Sequence, residues 1–492
     1  MPTPIIVGVA DIKNPSVATE DAQEPLELML QAIHAALADT SSINLQSSID
    51  SLSVVRTWTW PYADLPGQLA ERLGVTATAR HKTYTEHGGN SPAKILDETA
   101  RMISRGEVQV GVITGGEALA SLSACASKGL VPPRGWTRPN DDVASALSLD
   151  LSKFGESIAT RHAVGLPIHV YPMYENAFRA RRKQNIKENH GESARLYAEF
   201  ARIAAQSEYS WNYGRPPATE QEIGSVSIRN RMICFPCEFG NSFPGNCKGF
   251  NACASPDPLL MNAFNNVNLA AAAVMTSVEV ARELGIPENK WIYPLGGAGT
   301  KDSEHFPKLA CEHLGIPIQG SHRPITLLGG LTSFGGAGNN YSMHAITEMV
   351  RKLRQGPAKN GLILANGGTV TYQHVVCLSK HTRRDRTDYP ATNPLPDKIT
   401  DVPVPKIVEV ADGEAEIETY TVEYNRNGQP SRAFIVGRLV ADGSRFLAND
   451  GDANTLHHLT SQTTEPIGRK GLVRHDLETK RNLFAMDGGV KL

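Results

Sequence analysis

The strongest constraint on the fold of this chain is an internal repeat. The segment at 85–119 has a second, weaker copy at 333–370, about 250 residues further on. Each copy runs from a Gly-Gly turn through apolar residues at helical spacing to a glycine, and then into an apolar strand and a second Gly-Gly pair. A helix followed by a wholly apolar strand is typical of α/β layers, in which both faces of a strand are covered. The repeat therefore predicts a duplicated α/β domain.

Composition and charge place the chain among globular proteins. Its 492 residues exceed what one core usually holds, 40% of them are hydrophobic, and the net charge is −2. This near-neutral charge argues against nucleic-acid binding, and no apolar run is long enough to predict a membrane span.

Seven cysteines without a secretory signal indicate an intracellular protein. The final Val-Lys-Leu resembles the peroxisomal Ser-Lys-Leu address, so we expect a cytoplasmic or peroxisomal location.

Shifts in composition divide the chain into five predicted segments. Charged helical pieces alternate with Pro-rich ones after the first repeat, a Pro-rich linker follows the second, and alternating strands separated by turns make up the tail. The tail pattern predicts a small β-barrel of the oligonucleotide/oligosaccharide-binding (OB) shape. The segments are a first half at 1–119, an inserted loop domain at 120–260, a second half at 261–380, a linker at 381–403 and a β domain at 404–492.

A basic cluster in the insertion allows two interpretations. It could meet phosphates, although a solvated helix face is the simpler explanation. Its members are Arg179, Arg181, Arg182 and Lys183.

Three cysteines close to the end of the insertion suggest a metal ligand set. Cys237, Cys247 and Cys253 lack a close Cys-x-x-Cys pair and a nearby histidine, so their spacing does not favour zinc. We predict a flexible loop here and no metal site.

Several motifs carry a resemblance to a known superfamily. They are HGGNSP at 87–92, VITGGEAL at 112–119, HVYPMYENAFRA at 169–180, NNVNLAAAAVM at 265–275, WIYPLGGAGTKD at 291–302, LLGGLTSFGGAGNNYSMHAI at 327–346, ANGG at 365–368, GRLVADGSRFLAN at 437–449 and EPIGRKG at 465–471. On these motifs the chain resembles the thiolase superfamily and its acetyl-CoA acetyltransferase-like members. It is most similar to the thiolase-like protein type 1 branch, whose members carry an additional C-terminal domain. The resemblance implies a duplicated core layered α/β/α/β/α.

The residues that catalyse in thiolases are missing. In those enzymes a cysteine at the start of the first buried helix takes up the acyl group, a histidine in the second glycine loop activates it, and a second cysteine shuttles a proton. The corresponding places here hold Gly89 for the first cysteine, Gly336 or a residue beside it for the histidine, and Ala365 for the second cysteine. The resemblance therefore implies an acyl-CoA-processing protein of the acyltransferase class that lacks the nucleophile. Coenzyme A would enter as part of the substrate, and no resident cofactor is implied.

Four side chains beside the glycine turns are candidates for catalysis. Ser91 is the hydroxyl nearest to the lost thiol, but with Pro92 behind it a helix N-cap is the alternative. His87 is a candidate base, or only a hydrogen-bonding loop residue. Tyr341 and His344 open the second helix, and some thiolase-like relatives cleave acyl-CoA aldols with a tyrosine as acid and base. Packing of Tyr341 on the loop is the alternative.

The turns themselves form the predicted substrate-binding site, because their backbone N–H groups suit a thioester oxygen. Asn339 and Asn340 would cap the second helix or hold a carbonyl oxygen. His374 and Cys377 fall on a probable strand, where core positions are expected. The glycines of the turns are Gly88, Gly89, Gly335, Gly336, Gly367 and Gly368.

Three functions stay open from the sequence. The first is acyl transfer or carbon–carbon bond chemistry on a CoA thioester. The second is a retro-aldol lyase that uses Tyr341, and the third is a non-catalytic CoA-ester-binding or scaffold subunit.

The resemblance has further implications for segments outside the glycine turns. The family normally has a further helix and strand where this chain passes from Asp302 to Phe306. The resemblance also implies a role in lipid metabolism and a homodimer that pairs through an edge strand. The β domain could dock a partner protein.

Overall fold

A computed structural model describes residues 1–141, 143, 156–165, 167–227, 229–235, 257–300, 315, 317, 325–367, 372–396, 405–461 and 464–486. The chain forms two compact units. The first, called the core unit, comprises 1–149, 203–216 and 263–399. The second, called the barrel unit, comprises 150–202, 217–262 and 400–492.

The secondary structure follows the predicted α/β and β segments. The described strands are β1 (Pro4–Lys13), β2 (Ser51–Val54), β3 (His81–Tyr84), β4 (Val110–Ala118), β5 (Met232–Phe235), β6 (Asp257–Pro258), β7 (Asn268–Ser277), β8 (Tyr293–Thr300), β9 (Asn360–Asn366), β10 (Gln373–Ser379), β11 (Gly413–Tyr424), β12 (Pro430–Leu439), β13 (Arg445–Asp450), β14 (Lys470–Asp476) and β15 (Arg481–Met486). The described helices are α1 (Pro25–Asp39), α2 (Leu65–Arg72), α3 (Ser91–Ser104), α4 (Leu119–Ser127), α5 (Ile158–Arg161), α6 (Pro167–Arg181), α7 (Ile186–Gln206), α8 (Glu220–Gly224), α9 (Val278–Glu283), α10 (Gly330–Ser333), α11 (Tyr341–Gln355) and α12 (Ala453–Leu459).

The first sheet of the core unit has the strand order β1-β7-β4-β2-β3. Strands β2, β3 and β4 are parallel, whereas β7 runs antiparallel to both β4 and β1. Every residue of β4 and β7 is buried, because helices cover both faces of the sheet. Helices α1 and α2 pack on one face with a core that includes Leu28, Ile33 and Leu69.

Helices α3 and α11 form a middle layer between the two sheets of the core unit. They begin 250 residues apart, contact each other, and contact strands of both sheets. Their shared core includes Ile95, Ile103, Ile346, Val350 and Leu353. The duplicated, layered α/β core that the repeat predicted is therefore confirmed.

The second sheet of the core unit has the order β8-β10-β9. Strand β9 follows α11 as β4 follows α3. An antiparallel strand flanks each of them: β10 pairs with β9 and β8, and β7 pairs with β4 and β1. Within the described residues, the second half has no counterparts of β2 and β3. The predicted short segment at 302–306 lies outside the described residues.

The tail folds into a closed five-stranded barrel. Strand β11 pairs with β12, β12 with β13, β13 with β15, β15 with β14, and β14 with β11. Helix α12 lies between β13 and β14 in the chain, and the interior includes Tyr420, Phe446 and Phe484. The predicted OB-like barrel is confirmed.

Helix α6 packs against β11 and corrects the interpretation of the basic cluster. Arg179 is not on a solvated face: it is buried, and its guanidinium donates to Glu465 at 2.6 Å and to Asn176 at 2.9 Å. Arg182 forms an ion pair with Glu192 at 2.6 Å. These two charges are matched inside the unit, whereas Arg181 and Lys183 are exposed, as the prediction of a solvated helix face expects.

The predictions made for the cysteine cluster and for the last three residues stay predictions. Cys237, Cys247, Cys253 and the final Val-Lys-Leu lie outside the described residues. Over the ranges that are described, no helix is both long and apolar enough to cross a membrane.

Candidate functional site

The candidate site lies where three parallel strands end. Strands β2, β3 and β4 are parallel neighbours, so the segments that follow them meet at one edge of the sheet. Those segments hold Arg56 and Trp58 after β2, the first glycine turn after β3, and Glu117 near the end of β4.

The first glycine turn leads directly into α3. Gly88 has φ of +156° and Gly89 is buried. The helix begins at Ser91, with Asn90 at the N-cap position and no side-chain cap. The Ser91 hydroxyl donates instead to the Glu86 carbonyl at 3.3 Å. The capping role predicted for Ser91 is therefore wrong, because the helix starts at Ser91 itself, one residue earlier than the sequence suggested.

Asn339 joins the two glycine turns. Its Oδ1 accepts a hydrogen bond from the Gly88 N–H at 2.9 Å, and its Nδ2 donates to the Arg56 carbonyl at 2.8 Å. The same Nδ2 lies 3.0 Å from His87 Nδ1. Asn339 is buried, so these contacts fix the loops after β2 and β3 against the second turn.

Asn340 holds another strand end in the same way. Its Nδ2 donates to the Gly115 carbonyl on β4 at 2.8 Å, and the residue is buried. Asn340 stands at the N-cap position of α11 but makes no capping hydrogen bond. Both asparagines thus donate to carbonyls of the protein's own backbone, and their binding of a substrate carbonyl stays a prediction.

The Tyr341 ring fills the space that a side chain at Gly89 would need. A Cβ atom built on Gly89 would lie 2.2 Å from Cε1 of the Tyr341 ring and 2.6 Å from the Asn366 carbonyl oxygen. The Tyr341 hydroxyl accepts from the Asn366 N–H at 2.6 Å and lies 3.0 Å from the Asn366 carbonyl oxygen. The phenol therefore lies between the first glycine turn and the end of β9.

Ser342 is a site residue that the sequence did not reveal. Its buried hydroxyl donates to the Gly89 carbonyl at 2.7 Å. The hydrogen bond joins the start of α11 to the turn before α3. A serine early in a helix following a glycine loop is common, so no sequence signal distinguished it.

The other glycines of the turns are required by close packing. Gly335 has φ of +118°, and a Cβ on Gly336 would lie 2.2 Å from Asn265 Oδ1. A Cβ on Gly367 would lie 2.5 Å from Cβ of Tyr372, whose carbonyl accepts from the Gly367 N–H at 2.5 Å. Gly368 lies outside the described residues.

His344 belongs to a buried ion cluster with Asp11 and Arg351. Its Nδ1 lies 2.5 Å from Asp11 Oδ1, and the other Asp11 oxygen accepts from Arg351. Burial alone would raise the pKa of Asp11, but the His344 hydrogen bond and the Arg351 charge outweigh it and hold that pKa below its ordinary value. His344 Nε2 is buried without a hydrogen-bond partner. The cluster connects α11 to β1.

His87 lies at the outer side of the turn. Its ring is exposed and stands 5.9 Å from that of Trp58 in an edge-on arrangement. Partial desolvation and the positive charge of Arg56 lower the pKa of His87, which favours the neutral imidazole. A neutral imidazole is the form that accepts a proton.

Glu117 was missed by sequence reasoning. Its buried carboxylate accepts from the N–H groups of Trp58 and Thr59 at 2.8 and 2.9 Å and from the Thr57 hydroxyl at 2.8 Å. Burial raises the pKa of Glu117 despite these donors. A Cβ on Gly338 would lie 2.5 Å from Oε1, so Glu117 also lies against the second glycine loop.

His374 is buried in the core, as predicted. Its Nε2 lies 2.9 Å from an oxygen of Asp97, which also pairs with Arg101 at 2.7 Å and accepts from Tyr389 at 2.7 Å. Cys377 is a free thiol on the same strand, and burial raises its pKa. Neither geometry favours nucleophilic chemistry.

Comparison with known proteins identifies the tail and the overall fold. Residues 394–478 match the family model described as the thiolase-like protein type 1 additional C-terminal domain. The crystal structure of a monomeric SCP2-thiolase like protein type 1 from Mycobacterium smegmatis is 27% identical, covers 98% of this chain and 99% of its own, and gives a TM-score of 0.74. No curated protein matches the chain in sequence.

Two more distant structures show weaker likeness. Human mitochondrial 3-ketoacyl-CoA thiolase is 12% identical over 77% of this chain and 99% of its own, with a TM-score of 0.48. The Ltp2-ChsH2(DUF35) aldolase is 16% identical over 77% of this chain and 97% of its own, with a TM-score of 0.46. Likenesses this weak indicate nothing about the reaction.

Proposed function

Because the chain belongs to the thiolase-like proteins type 1 and carries their additional C-terminal domain, we propose that it binds a CoA thioester at its glycine turns and acts on the acyl group without an acyl-enzyme. The observation that carries the proposal is the Tyr341 ring in the volume of a side chain at residue 89. No thiol fits there while the ring is present.

The reaction class that suits this arrangement is carbon–carbon bond cleavage or formation beside the thioester. In a retro-aldol step, the phenolate of Tyr341 takes the proton of a 3-hydroxyl group. The Cα–Cβ bond breaks, a carbonyl product leaves, and the electron pair becomes the thioester enolate. The phenol then returns the proton to Cα, so a single residue balances the step. The Asn366 N–H that donates to the phenol oxygen favours its negative charge, whereas the Asn366 carbonyl that accepts from the hydroxyl favours the neutral phenol.

Backbone dipoles would support the enolate. The N-terminus of α3, a helix of 14 residues, follows the first glycine turn, and its positive end favours a negatively charged oxygen nearby. Ser342 and Asn339 hold that turn in position through its carbonyl and its N–H group.

A calorimetric titration and an activity assay test the proposal together. We expect acetyl-CoA and longer acyl-CoAs to bind, and Tyr341→Phe to keep that binding while losing roughly 100-fold or more of the retro-aldol rate on a 3-hydroxyacyl-CoA. Tyr213→Phe is the matched control, since Tyr213 is an exposed tyrosine of the same unit. Equal rates for parent and Tyr341→Phe would remove Tyr341 from the mechanism.

A non-catalytic CoA-ester-binding subunit is the second candidate. The two contacts of the Tyr341 hydroxyl with Asn366 favour this candidate. They use the proton of the hydroxyl and one lone pair of its oxygen for hydrogen bonds within the protein. Thioester binding without turnover in the parent would select this candidate. Failure of every acyl-CoA to bind would contradict both candidates.

The oligomeric state is a separate part of the proposal. Strand β3 forms one edge of the first sheet, spans only four residues and exposes Lys82. Short, charged edges disfavour pairing between chains, and the Mycobacterium smegmatis relative is described as monomeric. A monomer is therefore favoured over the homodimer expected from the superfamily, and light scattering tests it. Partner docking through the barrel and a cytoplasmic or peroxisomal location remain predictions.

A further inference from the structure

We infer that Trp58, together with His87, forms a subsite for an apolar acyl chain beside the glycine turns. This inference rests on the proposed function, because it names the part of the CoA thioester that the rim of the site contacts. Nothing in the glycine turns themselves distinguishes a short acyl group from a long one.

Trp58 is an exposed aromatic ring on a rigid segment. Its side chain is 44% exposed, whereas Thr57, Thr59 and Trp60 on either side are 6%, 1% and 1% exposed. An indole presented by an immobile backbone binds an apolar group at little cost in conformational entropy.

Glu117 provides the rigidity. Its carboxylate binds the N–H groups of Trp58 and Thr59 and the hydroxyls of Thr57 and Thr59. Burying a carboxylate is unfavourable unless such donors compensate it. The contacts of this buried carboxyl group fix the peptide that carries Trp58.

The ring is joined to the candidate site by consecutive contacts. Trp58 stands edge-on to His87 at 5.9 Å, His87 Nδ1 lies 3.0 Å from Asn339 Nδ2, and Asn339 binds the Gly88 N–H. Lowering of the His87 pKa favours its neutral form, so the two rings present an uncharged surface. An uncharged aromatic pair matches an alkyl or alicyclic chain.

Arg56 is the one feature that favours a different ligand. Its guanidinium stacks on the Tyr84 ring at 4.5 Å, and its Nε donates to the Thr85 carbonyl at 2.9 Å. These contacts hold the Arg56 guanidinium against other residues of the protein. An acyl chain ending in a carboxylate would nevertheless bind better than an alkyl chain if Arg56 faced it, and the test includes that outcome.

The test is a calorimetric series of acetyl-, butyryl-, octanoyl- and succinyl-CoA. We expect the parent to bind octanoyl-CoA at least roughly tenfold more tightly than acetyl-CoA, since each buried methylene adds to the affinity. Trp58→Ala should bring the two affinities to within about twofold, and Trp58→Phe should retain most of the preference. Ile43→Ala is the matched control, because Ile43 is a 96% exposed apolar residue with no place in the site. It should leave the series unchanged.

Glu117→Gln supplies an independent variant. Its amide cannot accept all the donors that the carboxylate accepts, so Trp58 should lose its fixed position and the chain-length preference should fall. Circular dichroism of each variant checks that the fold is intact.

Three outcomes would overturn the subsite. The first is an equal loss of acetyl- and octanoyl-CoA affinity in Trp58→Ala, the second an unchanged preference in that variant, and the third tighter binding of succinyl-CoA than of butyryl-CoA by the parent. If the parent binds no acyl-CoA at all, the proposed function itself fails. That result is distinguishable from the other three, in which the parent binds thioesters.

Discussion

The Tyr341 ring fills the space that any side chain at residue 89 would need, with its Cε1 atom 2.2 Å from an ideal Cβ on Gly89. In thiolases that position carries the acyl-accepting cysteine. The two residues come from the two copies of the repeat, so the packing of one copy against the other restricts what residue 89 can be.

This relationship predicts a cost for Gly89→Ala. The added methyl would overlap the Tyr341 ring and the Asn366 carbonyl, and we expect about 1–3 kcal/mol of lost stability in urea denaturation. Gly191→Ala is the control: Gly191 lies in α7, and the nearest atom to its added Cβ is 3.4 Å away on the flexible Arg195 side chain. It should be neutral or slightly stabilising.

A double-mutant cycle separates the overlap from other effects. Tyr341→Ala removes the ring, so Gly89→Ala should cost less in that background, with a coupling of about 0.5–3 kcal/mol. Additive costs would show that the ring does not restrict residue 89.

The buried Asp11 cluster predicts acid sensitivity. Asp11→Asn leaves Arg351 and His344 without their carboxylate, and we expect it to cost about 3–5 kcal/mol at neutral pH. Because the folded-state pKa of Asp11 is lowered, its contribution is complete above the unfolded value of about 3.9 and declines as the pH falls through the folded value. The stability difference between parent and variant should therefore shrink in acid.

Denaturation curves of parent and Asp11→Asn between neutral pH and acid provide the measurement. Glu98→Gln is the control, because Glu98 is half exposed on α3 and pairs only loosely with Lys94. A difference that stays constant into strong acid would contradict the assigned ion pair.

His162 predicts a second pH dependence, in the barrel unit. Its ring is buried, with Nδ1 2.7 Å from the Ile158 carbonyl and Nε2 accepting from the Asn482 N–H at 2.9 Å. Burial, with the charges of Arg481 and Arg161, lowers the pKa of His162. Since the folded protein resists protonation, stability should fall below the unfolded value of about pH 6.5, by at most about 1.4 kcal/mol per pH unit.

Hydrogen exchange of the Asn482 amide across pH 5 to 7 measures this effect. His162→Gln should flatten the pH dependence, whereas His457→Gln, at an exposed histidine of α12, should leave it unchanged. An identical pH dependence in parent and His162→Gln would rule out His162 as its source.

The sequence was sufficient for elements whose signals are local or repeated. The two glycine-turn helices follow from apolar spacing, and the predicted offset of about 250 residues agrees with the observed starts at Ser91 and Tyr341. The barrel follows from alternating strands and turns. Both patterns depend on burial of one face of each element, which sequence periodicity records directly.

Pairings between distant residues could not be predicted. Asp11 meets His344 across 333 positions, and Glu117 meets Thr57 across 60. The cap of α3 was displaced by one residue because Ser-Pro and Asn-Ser are both acceptable helix starts. The family resemblance predicts a catalytic role for Tyr341. Its contact with Gly89 depends on three-dimensional packing, which the sequence does not record.

A crystal structure of Tyr341→Phe with a bound 3-hydroxyacyl-CoA tests the central proposal most directly. We expect an intact thioester beside the Gly88–Gly89 turn, with its 3-hydroxyl or Cα about 3 Å from the position of the missing phenol oxygen. An acyl group bonded to Ser91 Oγ, or a thioester bound away from the glycine turns, would contradict it.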